Sequence, residues 1–354
     1  MTVSKKGLWI LVGLFISGIC LWLFLKEIDW EELSRALHEA NYIYVIPVVL
    51  LTVLTYLVRT ARWELLILPL KKVSFTNVFS AITIGFMSNH LLPARAGEII
   101  RCVVLSRSEK MRATGIFATV VMERLLDSVS LIIFATVVIA IISPHGGGVN
   151  PINDETHLFS QLKEGIWVLA GVSFVTVVFL VLLDVYSQKA LDLTDRLFFF
   201  VPHAIKDKIR HLLESFVQGL KVLKNIRQVL WLTFLSFSVW ILFAVAMVVL
   251  GYSFGIQIPF AGMCFVLVCI SLAVALPQAP AYIGVFHLAV QKSLELFHVA
   301  PAAAQSFAIV LWGISVFTSI VLGLFFLWRE GLSFGQIVKA QEVSDNNTTA
   351  KEPS

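Results

Sequence analysis

A polar segment broken by proline and glycine lies between two apolar runs, and its side chains suit anion binding. It reads NHLLPARAGEIIR, residues 89–101, with Asn89, Arg95, Glu98 and Arg101 among its polar positions. An ionised side chain at bilayer depth costs from about 2.5 to more than about 10 kcal/mol, so it is normally paired or faces a polar cavity. A guanidinium group suits a phosphate or a carboxylate. The segment is therefore a candidate wall of an anion-binding site.

A second charged stretch lies in the apolar run that follows. It reads MERLLD and holds Glu123, Arg124 and Asp127. Arg124 and Asp127 are three residues apart, so they can share a helix face. Two interpretations stay open: an ion-pair network that joins helices, or a site in which Arg95 or Arg101 binds an anionic group and a carboxylate balances the charge when the site is empty.

A third stretch, LPQAPAYIG at residues 276–284, is broken in the same way but is nearly neutral. Its polar candidates are Gln278 and Tyr282 and, in the apolar run that follows, His287 and Gln291. His287 is either a hydrogen-bonded structural histidine or a proton carrier. The contrast between a charged and a neutral segment favours a substrate with a charged head and an apolar body. The predicted hinge residues of the two broken segments are Pro93, Gly97, Pro277, Pro280 and Gly284.

The composition requires a membrane protein to hold these segments. Of the 354 residues 58% are apolar and 14% charged, and the mean hydropathy is +0.86, whereas soluble domains are about 25% charged. The net charge of +4 is not a nucleic-acid signal, because basic residues mark the cytoplasmic loops of membrane proteins. The sequence contains neither a zinc-ligand spacing nor a Walker motif, so no metal, no cofactor and no direct use of ATP are expected.

The hydropathy pattern predicts an all-α polytopic fold with about six full transmembrane helices and two broken re-entrant hairpins in an inverted repeat. Eight full spans are the alternative, because 256–276 is long enough to cross alone. An amphipathic surface helix is predicted at 26–40 and a long helix at 113–142. The predicted segments are an N-terminal repeat 1–143 with hairpin 73–106, an external loop 144–164, a C-terminal repeat 165–328 with surface helix 184–228 and hairpin 256–298, and a tail 329–354.

The distribution of basic residues predicts the orientation. A span is predicted to end at Val58, followed by a basic loop that holds Arg59, Arg62, Lys71 and Lys72. Of the 27 Lys and Arg residues, 20 fall in segments that this topology places in the cytoplasm. Both termini are therefore expected there.

Taken in order, NHLLPARAGEIIR, MERLLDSVSL and LPQAPAYIGVFHLA resemble signature segments of the lysylphosphatidylglycerol synthase transmembrane-region family. The similarity covers about residues 7–330. It implies an inner-membrane protein of a bacterium or archaeon that moves a lipid between leaflets, such as an aminoacylated phospholipid or a polyprenyl or hopanoid lipid. The chain ends soon after its last span, so no soluble aminoacyl-transferase domain is expected. Ala94 and Ala281 stand where the resemblance leads one to expect glycine.

The resulting hypothesis is a lipid flippase that is not an enzyme, with a membrane lipid as substrate and lipid-biosynthesis enzymes as candidate partners. Arg95 and Arg101 would bind the head-group phosphate, while Glu98 and Asp127 balance them. Two alternatives stay open: a membrane-embedded enzyme acting on a lipid phosphate or a polyprenyl-linked sugar, with Glu98, Glu123 or Asp127 as acid, base or metal ligand, and a scaffold subunit of a lipid-synthesis complex.

Overall fold

The computed structural model describes residues 5–92, 96–142, 225–275, 278–331 and 335. Pro93, Arg95 and Pro277 lie outside the described residues. So do the predicted loop 144–164, nearly all of the predicted surface helix 184–228 and nearly all of the tail.

All regular structure in the described part of the chain is helical. The α-helices are α1 Lys5–Lys26, α2 Trp30–Glu39, α3 Val45–Ile67, α4 Phe75–Leu91, α5 Gly97–Glu109, α6 Ala113–Ile142, α7 Ile226–Ser253, α8 Phe260–Ala273, α9 Val285–Glu295 and α10 Pro301–Arg329. Single 3-10 turns precede α3 at Tyr42–Tyr44 and α9 at Pro280–Tyr282.

Local sequence explains where several helices begin. The Asp29 carboxylate caps α2 by accepting hydrogen bonds from the N–H groups of Glu31 and Glu32, at 2.9 and 3.1 Å. Helix α10 begins with Pro301 in its first turn. Proline is tolerated there because the N–H groups of the first turn have no intrahelical acceptor in any helix, so the N–H that proline lacks is not needed. These start signals are local, so the sequence shows them without tertiary information.

Four helices in the described residues are long and apolar enough to cross a membrane: α3 with its preceding turn, α6, α7 and α10. Helices α1 and α2 form a fifth candidate that is bent by 85°. The outer faces are strongly apolar: Phe317 and Trp328 of α10 are 70% and 80% exposed. Large exposed apolar surfaces of this kind mark contact with lipid or another protein. The chain therefore has the helices of a multi-pass membrane protein.

The structure confirms the predicted long helix at 113–142 and the helix within 26–40. The prediction of a basic loop after Val58 is wrong for its first part, because α3 continues to Ile67 and contains Arg59 and Arg62. Asn89 was expected at the start of a break, yet α4 continues to Leu91. The broken region between α4 and α5 is therefore shorter than predicted.

The chain divides into two compact units. Unit 1 comprises Met1–Leu57, Phe79–Arg101 and Ile241–Ser354, and unit 2 comprises Val58–Val78 and Cys102–Trp240. Each unit contains a distinct set of buried polar groups.

Candidate functional site

The first interrupted helix pair consists of α4 and α5, of 17 and 13 residues. The two helices touch at backbone level in unit 1, because a side chain on Gly97 would collide with the Gly85 carbonyl oxygen. The Gly97 N–H also donates a hydrogen bond to Asn89 Oδ1 at 2.9 Å. Glycine and a side-chain acceptor therefore close the broken end, which we call the tip of the first pair.

At the open end of the same pair, Glu109 anchors the end of α5 to the start of α4. Its Oε1 accepts hydrogen bonds from the Ser74 N–H at 2.9 Å and from Asn77 Nδ2 at 2.8 Å, and Lys71 Nζ lies 3.2 Å from Oε2. Burial alone would raise the pKa of this carboxyl, but the hydrogen bonds and the lysine lower the pKa overall. Glu109 is therefore held as a carboxylate that joins the two open ends.

The second interrupted pair consists of α8 and α9, of 14 and 11 residues. At the open end, the rings of Phe265 and Phe297 lie 5.9 Å apart. At the tip the backbone is strained, because Ala281 and Tyr282 have φ of 56° and 63° and Gly284 has φ of 84°. Positive φ is unfavourable for residues with a Cβ and costs about 1–3 kcal/mol each. The surrounding contacts must hold this conformation.

Helix α1 supplies some of those contacts. Ser17 Oγ accepts a hydrogen bond from the Ala279 N–H at 2.7 Å, and a side chain on Gly284 would collide with the Ser17 carbonyl oxygen. Further along, Glu27 Oε2 accepts hydrogen bonds from Gln291 Nε2 at 2.7 Å and from Lys292 Nζ at 2.6 Å. Helix α1 therefore holds the break, and Glu27, the residue directly after α1, holds the end of α9.

The tips of the two pairs meet within unit 1. The rings of His90, near the end of α4, and Tyr282, in the second break, lie 5.6 Å apart in an edge-to-face contact. His90 Nδ1 shares a 2.7 Å hydrogen bond with Ser319 Oγ of α10. The Trp312 indole N–H donates to the Ala281 carbonyl oxygen at 2.7 Å. We call these five residues the tip junction.

Helix α10 shows how the pairs are oriented, because it contacts both along its length. Near its N-terminal end, Gln305 Nε2 donates to the Glu27 carbonyl oxygen at 3.3 Å. The tip-junction residues follow in the middle. Towards its C-terminal end, a side chain on Gly323 would collide with Met87, and the Phe326 and Phe79 rings are 5.2 Å apart. The first pair thus extends from the junction towards the C-terminal end of α10.

Unit 2 contains a different polar centre, a buried ion pair around Arg62. Its guanidinium lies 3.0 Å from a Glu123 oxygen and 2.6 Å from an Asp127 oxygen, and it donates to Ser236 Oγ at 3.3 Å. The side chains of Arg62 and Glu123 are fully buried. Arg124 adds a 3.4 Å contact to Asp127. We call these five residues the Arg62 cluster, in which opposite charges satisfy one another.

The structure brings part of the predicted site together. Unit 1 holds Asn89, Glu98, Arg101, Gln278, His287 and the hinge residues Gly97, Pro280 and Gly284, whereas Glu123, Arg124 and Asp127 lie in unit 2. Arg101 is buried.

Sequence reasoning missed Arg62, Ser17, Trp312 and Ser319. A signal existed for Arg62, because the apolar run continues from Leu65 to Leu70 after it. No comparable signal marks the other three, which are ordinary residues of apolar helices.

Comparison with known proteins assigns the family. The model of the lysylphosphatidylglycerol synthase transmembrane region matches residues 10–323. The chain therefore belongs to that family of multi-pass membrane proteins. No solved structure matches the chain.

Three curated relatives share parts of the sequence. A UPF0104 membrane protein of Methanocaldococcus jannaschii is 30% identical over 36% of this chain and 38% of its own length. The glycosyltransferase AglD of Haloferax volcanii is 25% identical over 89% of this chain and 53% of its own length. A UPF0104 membrane protein of Methanothermobacter thermautotrophicus is 23% identical over 72% of this chain and 75% of its own length. The match thus spans only about half or less of the first two relatives.

Proposed function

We propose that this protein moves an anionic lipid between membrane leaflets, with its two interrupted helix pairs acting as opposed re-entrant hairpins. The observation that carries the proposal is the contact between the two tips, His90 against Tyr282. Interrupted hydrophobic segments that meet inside a membrane are the usual construction of a transport site.

Helix length supports the re-entrant geometry. Helices α5, α8 and α9 have 13, 14 and 11 residues, which at about 1.5 Å per residue gives roughly 20, 21 and 17 Å. The hydrocarbon core is about 30 Å thick. Both pairs have their open ends joined, at Glu109 in the first pair and at Phe297 in the second. Each pair therefore enters and leaves on one side.

Contacts along α10 support opposite entry sides. The first pair extends from the tip junction towards Arg329, whereas Gln305, nearer Pro301, bonds to Glu27, which anchors the end of α9. Ser319 lies about 15 Å from the C-terminal end of α10 and about 27 Å from its N-terminal end, at 1.5 Å per residue. The junction is then inside the hydrocarbon region, where broken backbone is tolerated only against protein or water.

The head group would cross at the tip junction while the tails remain in lipid. Arg101 of α5 and Arg95, which the sequence places between α4 and α5, would bind the phosphate, and Glu98 would balance their charge while the site is empty. The carboxylates of Glu123 and Asp127 are already paired with Arg62, and Asp127 also with Arg124. We therefore assign these two a structural part and leave the balancing role to Glu98.

We further propose an inner-membrane location with both termini in the cytoplasm. Basic residues flank the open end of the first pair: Lys71, Lys72, Arg107, Lys110 and Arg112. Short loops rich in Lys and Arg stay on the cytoplasmic side. The second pair would then open to the outside.

A second candidate function rests on the relative named as a glycosyltransferase, which aligns over 89% of this chain. In that reading the membrane region handles a lipid-linked sugar, either as part of an enzyme or in a complex with one. A covalently altered lipid in reconstituted vesicles would favour this candidate over the flippase.

The test is a leaflet-accessibility assay in proteoliposomes with labelled anionic phospholipids and polyprenyl phosphates. We expect transfer of an unaltered lipid that Arg95→Ala abolishes while the variant still inserts and folds. The matched control is Arg35→Ala, because Arg35 is 62% exposed on the surface helix α2 and its loss should leave transfer unchanged. Equal transfer by the wild type, Arg95→Ala and protein-free vesicles would refute the proposal.

A further inference from the structure

A buried histidine lies in the first turn of α9. His287 is 7% exposed, and its ring centroid lies 5.3 Å from those of Phe24 and Trp312 and 5.8 Å from that of Phe286. Its Nδ1 is buried and has no hydrogen-bond partner in the part of the chain that the structure describes. An imidazole enclosed by aromatic rings with no acceptor for an added N–H is stable there only in its neutral form.

This histidine lies in the middle of the contact between α1 and α9. At the start of α9, Gly284 packs against the backbone of Ser17. Near its end, Lys292 donates to Glu27 at 2.6 Å. His287 against Phe24 fills the interval. A change at His287 therefore acts on the contact that holds α9 to α1.

The same histidine is linked to the tip junction through one side chain. Trp312 contacts the His287 ring on one side and holds the Ala281 carbonyl oxygen with its indole N–H. Ala281 is one of the positive-φ residues of the second break. Trp312 thus connects His287 to the strained backbone beside Tyr282.

We infer that His287 binds a proton and that its protonated form favours a second packing of α9, in which the contacts with α1 and α10 are loosened. The imidazolium has a second N–H, and the rings around it offer no lone pair to accept it. If His287 binds a proton more tightly in one packing of α9 than in the other, protonation shifts the equilibrium between the two packings by the difference in binding free energy. The inference rests on the proposed function for its consequence: lipid transfer responds to protons.

Titratable groups in contact with α9 include Glu27, which follows α1 and accepts hydrogen bonds from Gln291 and Lys292, and the Cys269 thiol of α8, which lies near Ser293. Lys292 and Glu295 lie on α9 itself and form an ion pair, and His90 lies at the tip junction. Ordinary carboxyls titrate near pH 4 and thiols and amines above about pH 8. Histidine is the side chain whose ordinary pKa lies between these values. Besides His287, the histidines that the structure describes near α9 are His90, which shares a hydrogen bond with Ser319, and His298, whose backbone N–H donates to the Glu295 carbonyl oxygen at the end of α9.

The first experiment is hydrogen exchange of the full chain in lipid nanodiscs at about pH 5.5 and about pH 8, on either side of the histidine range. After correction for intrinsic exchange rates, we expect segment 279–291 to lose protection at the lower pH. His287→Phe and His287→Gln should abolish that loss, whereas His90→Gln should retain it. Phenylalanine keeps the aromatic contacts without titrating, so it separates proton binding from packing.

Two results would overturn the inference: no pH-dependent loss of protection in the wild type, or an unchanged loss in both His287 variants. Lipid transfer under a pH gradient then separates the two proposals. If hydrogen exchange depends on pH but no lipid is transferred, the proton site is supported and the flippase is refuted. If lipid is transferred at a rate that does not depend on pH, the flippase is supported and the coupling of transfer to protons is refuted.

Discussion

The Arg62 cluster in unit 2 and the tip junction in unit 1 are both polar, yet their groups are satisfied in opposite ways. In the cluster, Arg62 has two carboxylate partners and a hydroxyl acceptor, and its helices are regular. In the junction, the groups are neutral, and the backbone has positive φ at Ala281 and Tyr282.

The comparison distinguishes a region held rigid by paired charges from a region whose contacts can rearrange at low cost. A buried ion pair that loses one partner leaves an uncompensated charge in a low dielectric, so its helices are locked together. A neutral hydrogen bond contributes only about 0.5–1.5 kcal/mol net, and strained backbone is relieved by movement.

The largest expected effect is at Arg62. Arg62→Ala should lower the free energy of unfolding by about 3–5 kcal/mol, because Glu123 would remain buried without its partner. Arg35→Ala removes an exposed i,i+4 pair with Glu31 and should cost no more than about 0.5 kcal/mol. Thermal unfolding in detergent measures both. Equal effects of the two substitutions would end the distinction between the regions.

Next in size is Gly284 at the second break. Gly284→Ala should destabilise by about 2–4 kcal/mol, since alanine is strained at φ of 84° and its Cβ would collide with Ser17. The control is Gly313→Ala in α10, where nothing lies within 4 Å of the added Cβ, and where alanine favours the helix by about 1 kcal/mol. If both variants unfold at the wild-type temperature, the break is not held by α1.

Glu109 gives a pH-dependent effect at the open end of the first pair. Its pKa is lowered in the folded state, so its contribution is complete above the ordinary carboxyl pKa and is lost as pH falls through the lowered value. Glu109→Gln should therefore cost about 1–3 kcal/mol at neutral pH and less in acid. A cost that stays constant, or grows, as pH falls would show that the anchor is not the carboxylate.

The smallest expected change in stability is at Ser319. Ser319→Ala removes the hydrogen bond to His90 and should cost about 0.5–1.5 kcal/mol while changing lipid transfer more strongly. Ser306→Ala is the matched control, because Ser306 is buried in the same helix and its hydroxyl has no partner among the described residues. That control should be neutral for both properties. Transfer that follows stability alone in both variants would remove the junction from the transport path.

Much of the secondary structure could be predicted because the length of an apolar run and the presence of helix-breaking proline and glycine residues are local properties of the sequence. Helix α6 has the bounds predicted for the long helix at about 113–142, and α9 begins at Val285, directly after the predicted second break. Arg59 and Arg62 were misplaced in a loop because an arginine in an apolar run can either end a span or be neutralised inside it. Only the partners Glu123 and Asp127, about 60 residues away, decide between these.

The candidate site was predictable in its types of residue but not in its contacts. Asn89 and Gly97 were identified from the broken motif, and the structure joins them at the tip. Ser17, Trp312 and Ser319 stabilise the second break and the junction from α1 and α10. Their roles depend on which helix faces are buried together, and no local pattern contains that information.

The most direct test of the opposed pairs is cysteine labelling in sealed vesicles of both orientations, with Cys20, Cys102, Cys264 and Cys269 replaced by alanine. A bulky, membrane-impermeant maleimide should label Lys110→Cys from one side only and His298→Cys from the other side only. Leu91→Cys, at the tip of the first pair, should not react from the side opposite the open end of that pair. Ile283→Cys, at the tip of the second pair, should not react from the side opposite the open end of the second pair. Labelling of Lys110→Cys and His298→Cys from the same side would contradict the opposed arrangement of the pairs. Labelling of a tip cysteine from the side opposite the open end of its pair would show two full spans in place of a re-entrant pair.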